Sequence, residues 1–456
     1  MQNINTYFRP RQGFLLWLLA SSLLLAVSSS AQAVLNIEIT QGVEGALPVS
    51  IVPFGWEVPQ QSAQMPASLI PPKEPPIDVA AIVRADLART GRFEPLPPKD
   101  MLARPHADSE ITFSNWRIFQ SENLVVGTLQ YVGANRYKIR FRLFDVFKGE
   151  QLEGFSLSAS GNNLRQAAHQ VSDIIYEKLT GERGAFTTSV AYITAAGQGN
   201  SKRYSLWIAD ADGYGPQSMM RSGEPILSPA WSPDGSRLAY ASLEDRGHQV
   251  VFVQNIANGR REKVSSSKGI NGAPAWSPDG KSLAVSLSKD GNPEIYVINL
   301  ASKKRKRLTN HWSIDTEPTW TPDGKSIVFT SDRGGRPQLY QVAVRGGRSK
   351  RLTFEGQYNA KATVSRDGKK IALIHRTEGK YRVAIMDRES GNLRVLTDGA
   401  LDESPSFAPN GSMIIYATSK GRRGILKAVS VDGNIHQQFT VPEGDVREPA
   451  WSPYSR

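Results

Sequence analysis

The residues of this 456-residue chain that could do chemistry are six histidines, a recurring Asp-Gly pair and scattered carboxylates. His106, His169, His248, His311, His375 and His436 stand too far apart for two imidazoles to share one helix face around a zinc ion, and no H-E-x-x-H occurs. A lone histidine is more often a core or surface residue than a ligand. The G-x-S-x-G pentapeptide that exposes a nucleophilic serine is absent. Cysteine is absent altogether, which excludes thiolate metal sites, cysteine nucleophiles, disulfides and lipid attachment at a cleavage-site cysteine. The Asp-Gly pairs lack the closely spaced oxygen ligands of a calcium loop and read as turns. No glycine-rich loop is placed to cradle a phosphate; Gly346-Gly347 reads as a strand connection. Carboxylate pairs of the glycosidase type are compatible with the spacing, but no residue pattern supports them. The residues point to recognition rather than catalysis.

The Asp-Gly pairs belong to an internal repeat. PAWSPDG stands at 229–235 and 274–280, PTWTPDG at 318–324, ATVSRDG at 362–368, PSFAPNG at 405–411 and PAWSPYS at 449–455. Their centres, Trp231, Trp276, Trp320, Val364, Phe407 and Trp451, are separated by 45, 44, 44, 43 and 44 residues. In each copy a short strand ends on the centre. Pro then fixes φ and Gly accepts a positive φ in a tight turn. Alternating strands follow, and the last ends in Arg307-Leu308-Thr309, Arg351-Leu352-Thr353 or Val395-Leu396-Thr397. Four short antiparallel strands in about 40–45 residues make a β-propeller blade. The segments around Tyr192 and Trp207 read as second and third strands without a first, and the copy at 449–451 has nothing after it. This predicts an all-β six-bladed propeller over 190–456, closed by the C-terminal strand, which removes an exposed sheet edge. The repeated aromatics then serve as packing between sheets.

The elements before the propeller have another texture. Arg9 and Arg11, the apolar run 14–27 and Ala31-Gln32-Ala33 form a secretory signal peptide over 1–33. Residues 34–180 predict an α/β domain with strands at 35–40 and 47–54 and an exposed Pro/Gln-rich loop at 59–76. A helix capped by Asp78 runs to Thr90, and a hairpin turns at Gly133-Ala134-Asn135. A second helix, capped by Asn162 or Asn163, ends at Gly181. Residues 181–189 form a hinge. The formal charge of +12 leaves +10 once Arg9 and Arg11 are removed, a balance that favours anionic surfaces. Nucleic acid is a poor partner for an exported chain. The basic run 303–307 reads first as a solvated turn and outer strand, and second as a contact for anionic lipid or cell wall.

The combination is specific. Val52-Pro53-Phe54, Glu177-Lys178-Leu179-Thr180-Gly181 and Thr316-Glu317-Pro318-Thr319-Trp320 accompany the PAWSPDG blades. Ser331-Asp332-Arg333, Gly335-Arg336-Pro337-Gln338 and the closing PAWSP at 449–453 complete the set. The mature chain resembles the TolB family of the bacterial Tol–Pal system over essentially its whole length. The resemblance implies a monomeric, non-enzymatic periplasmic protein, with no transmembrane segment once mature. It implies binding to the lipoprotein Pal and to TolA, in support of outer-membrane invagination during division and of envelope integrity. It places the TolA contact at the mature N-terminus, here Val34, Leu35, Asn36, Ile37, Glu38 and Ile39. It places the Pal contact on the loops entering the innermost strands, here Ile270, Ala273, Thr316 and Glu317. Family members can carry His where this chain has Ile270.

Strand order adds to this. Antiparallel strands send alternate loops to opposite faces, so the N-terminal domain, which enters a second strand, belongs on the side of the Ser-Pro-Asp-Gly turns. The other mouth is expected to gather Glu224, Asp315, Glu317, Asp402, Glu403, Asp445 and Glu448, with Lys361 and Arg447. Glu403 and Glu448 thereby join the expected Pal-binding face. No cofactor is expected apart from a weakly held Ca²⁺ at that mouth. The alternative reading is a secreted propeller enzyme or carbohydrate-binding module that shares only the repeat.

Overall fold

The computed structural model describes residues 36–41, 45–58, 70–440 and 444–454. The expected signal peptide, Val34, Leu35 and most of the expected Pro/Gln-rich loop lie outside them. Among the described residues no helix is long and apolar enough to cross a membrane.

Alternation builds the N-terminal sheet. In Asn123–Gly133, Val125, Leu129 and Tyr131 enter one core, and Leu124 and Val126 enter another. This strand lies at the centre of the sheet. It pairs parallel with Leu47–Ile51 and Gly55–Glu57 and antiparallel with Arg136–Asp145, which pairs with Glu150–Ser160. Helix α1, Val79–Arg89, and the short helix α2, Phe113–Arg117, lie on opposite sides. Helix α3, Leu164–Thr180, joins α1 over the larger core. The Asp78 carboxylate caps α1 by accepting from Ala81 N at 2.8 Å. Asn163 holds the N-cap position of α3 without a side-chain bond, and Gly181 ends the helix at φ +73°. The helix α2 and the strand Glu150–Ser160 have no counterpart in the sequence reading. Trp116 in α2 is buried, yet five residues carry too little periodicity to signal a helix.

The six blades are as expected, each a sheet of four propeller strands. Their innermost strands are Asp445–Trp451, Ile226–Trp231, Asn271–Trp276, Asp315–Trp320, Asn359–Val364 and Glu403–Phe407, here taken as blades 1 to 6. Blade 1 is closed by the C-terminus. Asp445–Trp451 pairs with Ser189–Ala196, placing Trp451 opposite Val190. The recurring indoles link the blades. Trp231 Nε1 donates to Ala450 O at 2.9 Å, Trp276 to Ala230 O at 3.0 Å and Trp320 to Ala275 O at 3.1 Å. Each therefore bonds the inner strand of the preceding blade. Trp451 Nε1 instead meets the Thr188 hydroxyl at 2.9 Å, in the segment arriving from the N-terminal domain.

One strand lies elsewhere than the sequence reading put it. Asn36–Gln41 does not join the N-terminal sheet. It pairs antiparallel with His436–Thr440, the outer strand of blade 6, with Ile37 opposite Phe439. Local alternation fixes that a segment is a strand but not which edge it finds.

Candidate functional site

Each innermost strand carries the same irregularity. Three residues before its apolar centre stands a non-glycine residue with positive φ: Ser228 (52°), Ala273 (47°), Glu317 (52°), Lys361 (53°), Ser404 (55°) and Glu448 (52°). The pairing register shifts at these points in all six blades. Such bulges re-aim side chains, and an L-residue in this region costs on the order of 1–3 kcal/mol. All six line a central channel of about 880 Å³.

Three members of the ring are joined electrostatically. Lys361 Nζ lies 3.2 Å from Glu448 Oε2, which also accepts from Ser404 Oγ at 3.2 Å. Glu317 Oε2 accepts from Lys361 N at 3.0 Å and from Thr330 Oγ1 at 2.9 Å. Burial acts against the charged Lys361, but Glu448 and Glu317 hold its ammonium above the ordinary lysine range. Glu448 is likewise opposed by burial and held below the usual carboxylate range by Lys361.

The expected acidic mouth is built differently. Asp315 and Asp402 are buried at the bases of the loops. Asp315 accepts from Arg333 Nη2 at 2.5 Å, and Asp402 from the hydroxyls of Thr397 and Thr418 at 2.5 and 2.6 Å. Burial raises both carboxyls, against those bonds. Asn271 and Asn359 hold the equivalent place in blades 3 and 5, pinning their loops through Ser267 and Glu355. These acids position loops rather than face the opening, because a carboxylate at a strand start meets unpaired backbone and hydroxyl donors. Asp445 accepts from Gly424 N at 2.9 Å and lies 3.5 Å from Arg447. Glu224 and Glu403 are exposed.

The structure thus gathers Ala273, Glu317 and Glu448 on the channel wall. Thr316 is half-buried beside them, its hydroxyl 3.3 Å from Ser286 Oγ. Ile270 stands on the loop before Asn271, 44 % exposed, its N–H donating to Ser288 Oγ at 2.7 Å. Ile314 and Leu401, 48 % and 51 % exposed, occupy corresponding loops and were missed by the sequence reading. The available signal was an apolar residue just before an innermost strand, after the Leu-Thr that ends the previous blade. That threonine makes the same bond in three blades, where Thr309, Thr353 and Thr397 accept from Ile295 N, Leu339 N and Val383 N at 2.9–3.0 Å. Asn36, Ile37, Glu38 and Ile39 lie in the strand on blade 6, away from this group.

The opposite face is closed by the N-terminal domain. Asp173 of α3 accepts from Phe186 N at 2.8 Å and from Thr187 Oγ1 at 2.6 Å, strapping the 181–189 segment to the helix. Burial raises the Asp173 carboxyl against these bonds. Arg183 stacks on Tyr454 at 3.7 Å, and its carbonyl accepts from Asn410 Nδ2 at 3.0 Å. Between α1, α3 and blade 1, His169 Nδ1 lies 2.7 Å from Asp86 Oδ2, and His169 Nε2 lies 3.7 Å from Asp212 Oδ2. Arg89 reaches both carboxylates, at 2.6 and 3.6 Å, and Arg165 bonds Asp212. The three ligand-type atoms lie within 4.8 Å of one another, but two guanidiniums already balance the carboxylates. The cluster is an interdomain ion-pair network.

Ring, pinned loops and sealed turn face define a closed six-bladed propeller with an appended α/β domain, its loop side left uncovered among the described residues. The family description for the TolB amino-terminal domain matches residues 35–152, and that for the TolB beta propeller domain matches residues 176–455. The Tol-Pal system protein TolB of Nitrosococcus oceani is 57 % identical over 437 residues, 96 % of this chain and 97 % of that one. The protein of the same name from Thioalkalivibrio sulfidiphilus is 56 % identical over 425 residues, 93 % of this chain and 95 % of its own. The crystal structure of TolB from Acinetobacter baumannii superposes with a TM-score of 0.82 at 42 % identity, covering 92 % of this chain and all of that one. The chain belongs to the TolB family, and is thereby a non-enzymatic component of a Tol–Pal system.

Proposed function

We propose that the protein acts in the periplasm as a relay, binding Pal at the loop mouth of the propeller and TolA through the mature N-terminus, and so supports outer-membrane invagination and envelope integrity. The observation that carries this reading is the exposed apolar set Ile270, Ile314 and Leu401 around a channel whose other face is covered by the N-terminal domain. Exposed apolar groups around a polar, partly charged opening suit a partner that buries aliphatic surface and brings donors to Glu317, Glu403 and Glu448. Thr316 and Ala273 complete that face. The segment containing Asn36–Gln41 already forms a strand, so its geometry suits addition to a partner's sheet once it leaves His436–Thr440. A Ca²⁺ ion in the channel would have to displace Lys361 from Glu448, a competition that calorimetry with the metal alone would detect.

The test is calorimetric titration of the Ile270→Ser/Leu401→Ser variant with purified Pal, beside a variant lacking residues 34–41 titrated with Pal and TolA. The first should weaken Pal binding at least tenfold with an unchanged melting temperature. The second should lose TolA and keep Pal. Wild-type Pal affinity in the first variant would remove the loop face from this reading.

A further inference from the structure

The positive charge of the protein is concentrated on one flank. Residues 301–351 hold 12 Lys and Arg against 4 Asp and Glu, a surplus of 8 in a chain whose total is +12. Of those four acids, Asp315 is buried against Arg333 and Glu317 faces the channel. The cations cluster at the outer strands of blades 3 and 4, Arg305–Arg307 and Lys350–Arg351, and at the turns leading to them. The two edges are adjacent: Lys306 Nζ donates to Val344 O at 2.9 Å across the blades.

Edge strands often carry cations simply to discourage strand-to-strand aggregation. That explanation would apply to every uncovered edge, and the other blades show it weakly, with Arg260 at the turn before the blade 2 outer strand as the unmatched cation there. In blade 2, Arg261 and Lys263 are matched by Glu244 and Asp245 at 2.9 and 2.8 Å. In blade 5 the outer strand Leu393–Val395 has Arg394, whose guanidinium is bonded to the carbonyls of Asp432 and Val431 at 2.7 Å. In blade 1 the outer strand Gln217–Ser222 has only Arg221, held over Trp207. On blades 3 and 4, by contrast, the side chains of Lys304, Arg345, Arg348 and Lys350 are exposed, and no carboxylate or other acceptor among the described residues engages them.

A second feature belongs to the same two blades. Following their outer strands stand the two most exposed large apolar side chains among the described residues, Trp312 (78 %) and Phe354 (75 %). Arg351 stacks on Phe354 at 5.2 Å, and His311 lies beside Trp312 at 5.2 Å between ring centroids. Unmatched Lys and Arg beside exposed Trp and Phe is the pattern of surfaces that rest on the headgroup layer of anionic membranes.

We propose that the outer flank of blades 3 and 4 is a peripheral docking surface for anionic phospholipid, with Lys304, Arg345, Arg348 and Lys350 meeting the phosphates and Trp312 and Phe354 entering the interface. The contact is weak, electrostatic and salt-sensitive, and orients the disc edge-on to the lipid. It needs no protein partner.

The test is flotation of the purified exported protein with vesicles of phosphatidylethanolamine containing about one-third phosphatidylglycerol, and with neutral phosphatidylcholine vesicles. The triple reversal Lys304→Glu/Arg348→Glu/Lys350→Glu is compared with Lys73→Glu/Lys99→Glu/Arg136→Glu, which makes the same change of net charge at exposed positions of the N-terminal domain. Each cation near an anionic surface adds about fivefold to partitioning, so the flank variant should bind at least tenfold more weakly. The N-terminal-domain variant should stay within about twofold. Binding should be lost as salt is raised, since the Debye length falls from ~10 Å at 0.1 M to ~3 Å at 1 M. Equal losses in the two variants, no binding to anionic vesicles, or binding only to a soluble acidic polysaccharide such as heparin would each overturn the proposal. Circular-dichroism melts of both variants should match the parent, because the reversed side chains are exposed and unpaired.

Discussion

The two faces of the propeller treat their polar groups in opposite ways. On the turn face nearly every group is used internally. In the turns, Ser232, Ser277, Thr321 and Ser365 donate to Asp234, Asp279, Asp323 and Asp367 at 2.5–2.6 Å, and each hydroxyl also accepts the N–H five residues on. The N-terminal domain covers the same side, tied down by Asn410 and by the Asp86–His169–Asp212 network. On the loop face the bases are pinned by buried Asn271, Asp315, Asn359 and Asp402, while the tips leave Ile270, Ile314 and Leu401 in solvent. Repetition therefore stabilises one side, and the freedom it leaves is used on the other. Substitutions on the turn side should read out as stability, and those on the loop tips as binding.

The largest effect should come from reopening the ring. Deleting residues 445–456 removes the inner strand of blade 1, leaves Ser189–Ala196 paired only with Arg203–Asp210 and leaves Trp231 Nε1 without the Ala450 carbonyl. Loss of one large aromatic alone costs roughly 3–5 kcal/mol, and a whole strand goes with it. The truncated protein should lose its cooperative melt or unfold tens of degrees earlier by circular dichroism. A melt like that of the full chain would mean that closure contributes nothing to the rigidity of either face.

A smaller loss is expected at the interdomain network. Asp86→Ala leaves Arg89, His169 and Ser172 without the carboxylate that accepts from all three at 2.6–2.7 Å. Removing one partner from a buried ion-pair network costs about 3–5 kcal/mol. Urea unfolding should report that loss, and the loop face, far from the substitution, should keep the Pal affinity proposed for it. Equal loss of Pal affinity would show that the two faces are coupled rather than independent.

Much of this division is legible in the sequence. The 43–45-residue spacing gave six blades and their closure, because one bulge, one turn and one aromatic recur in each copy. Strand parity placed the N-terminal domain on the turn side. What was not legible depends on contacts between distant segments. Asp315 and Asp402 read as mouth acids, because sequence shows that a carboxylate begins a strand but not that Arg333 or Thr418 awaits it. Residues 36–41 alternate like any edge strand, and only the free edge at His436–Thr440 decides where they go. Ile314 and Leu401 stand six residues before Trp320 and Phe407, as Ile270 does before Trp276, but an apolar residue in a loop does not show from sequence alone that it stays in solvent.

The smallest effect distinguishes the faces by pH. Burial acts against the Asp234 carboxylate, but the Ser232 hydroxyl at 2.5 Å and the Ser236 amide at 3.1 Å lower its pKa from 3.8 to about 2. A carboxylate depressed in the folded state stabilises it fully above the unfolded value, and that contribution is lost as pH falls from about 4 through about 2. Asp234→Asn keeps an acceptor oxygen for both bonds but removes the charge. At pH 7 it should cost only a few tenths of a kcal/mol to about 1 kcal/mol, because the turn is partly open to solvent. Between pH 4 and pH 2 the difference between parent and variant should shrink toward zero, because the parent carboxylate protonates and the amide does not. Ile270→Ser, on the other face, has no titrating group to lose. Its melting temperature should follow the parent's across the same range, and its effect should appear only when Pal is added. A constant gap between parent and Asp234→Asn down to pH 2 would show that the turn is held by its geometry alone. The contrast between the two faces would then lie in backbone shape rather than in charge.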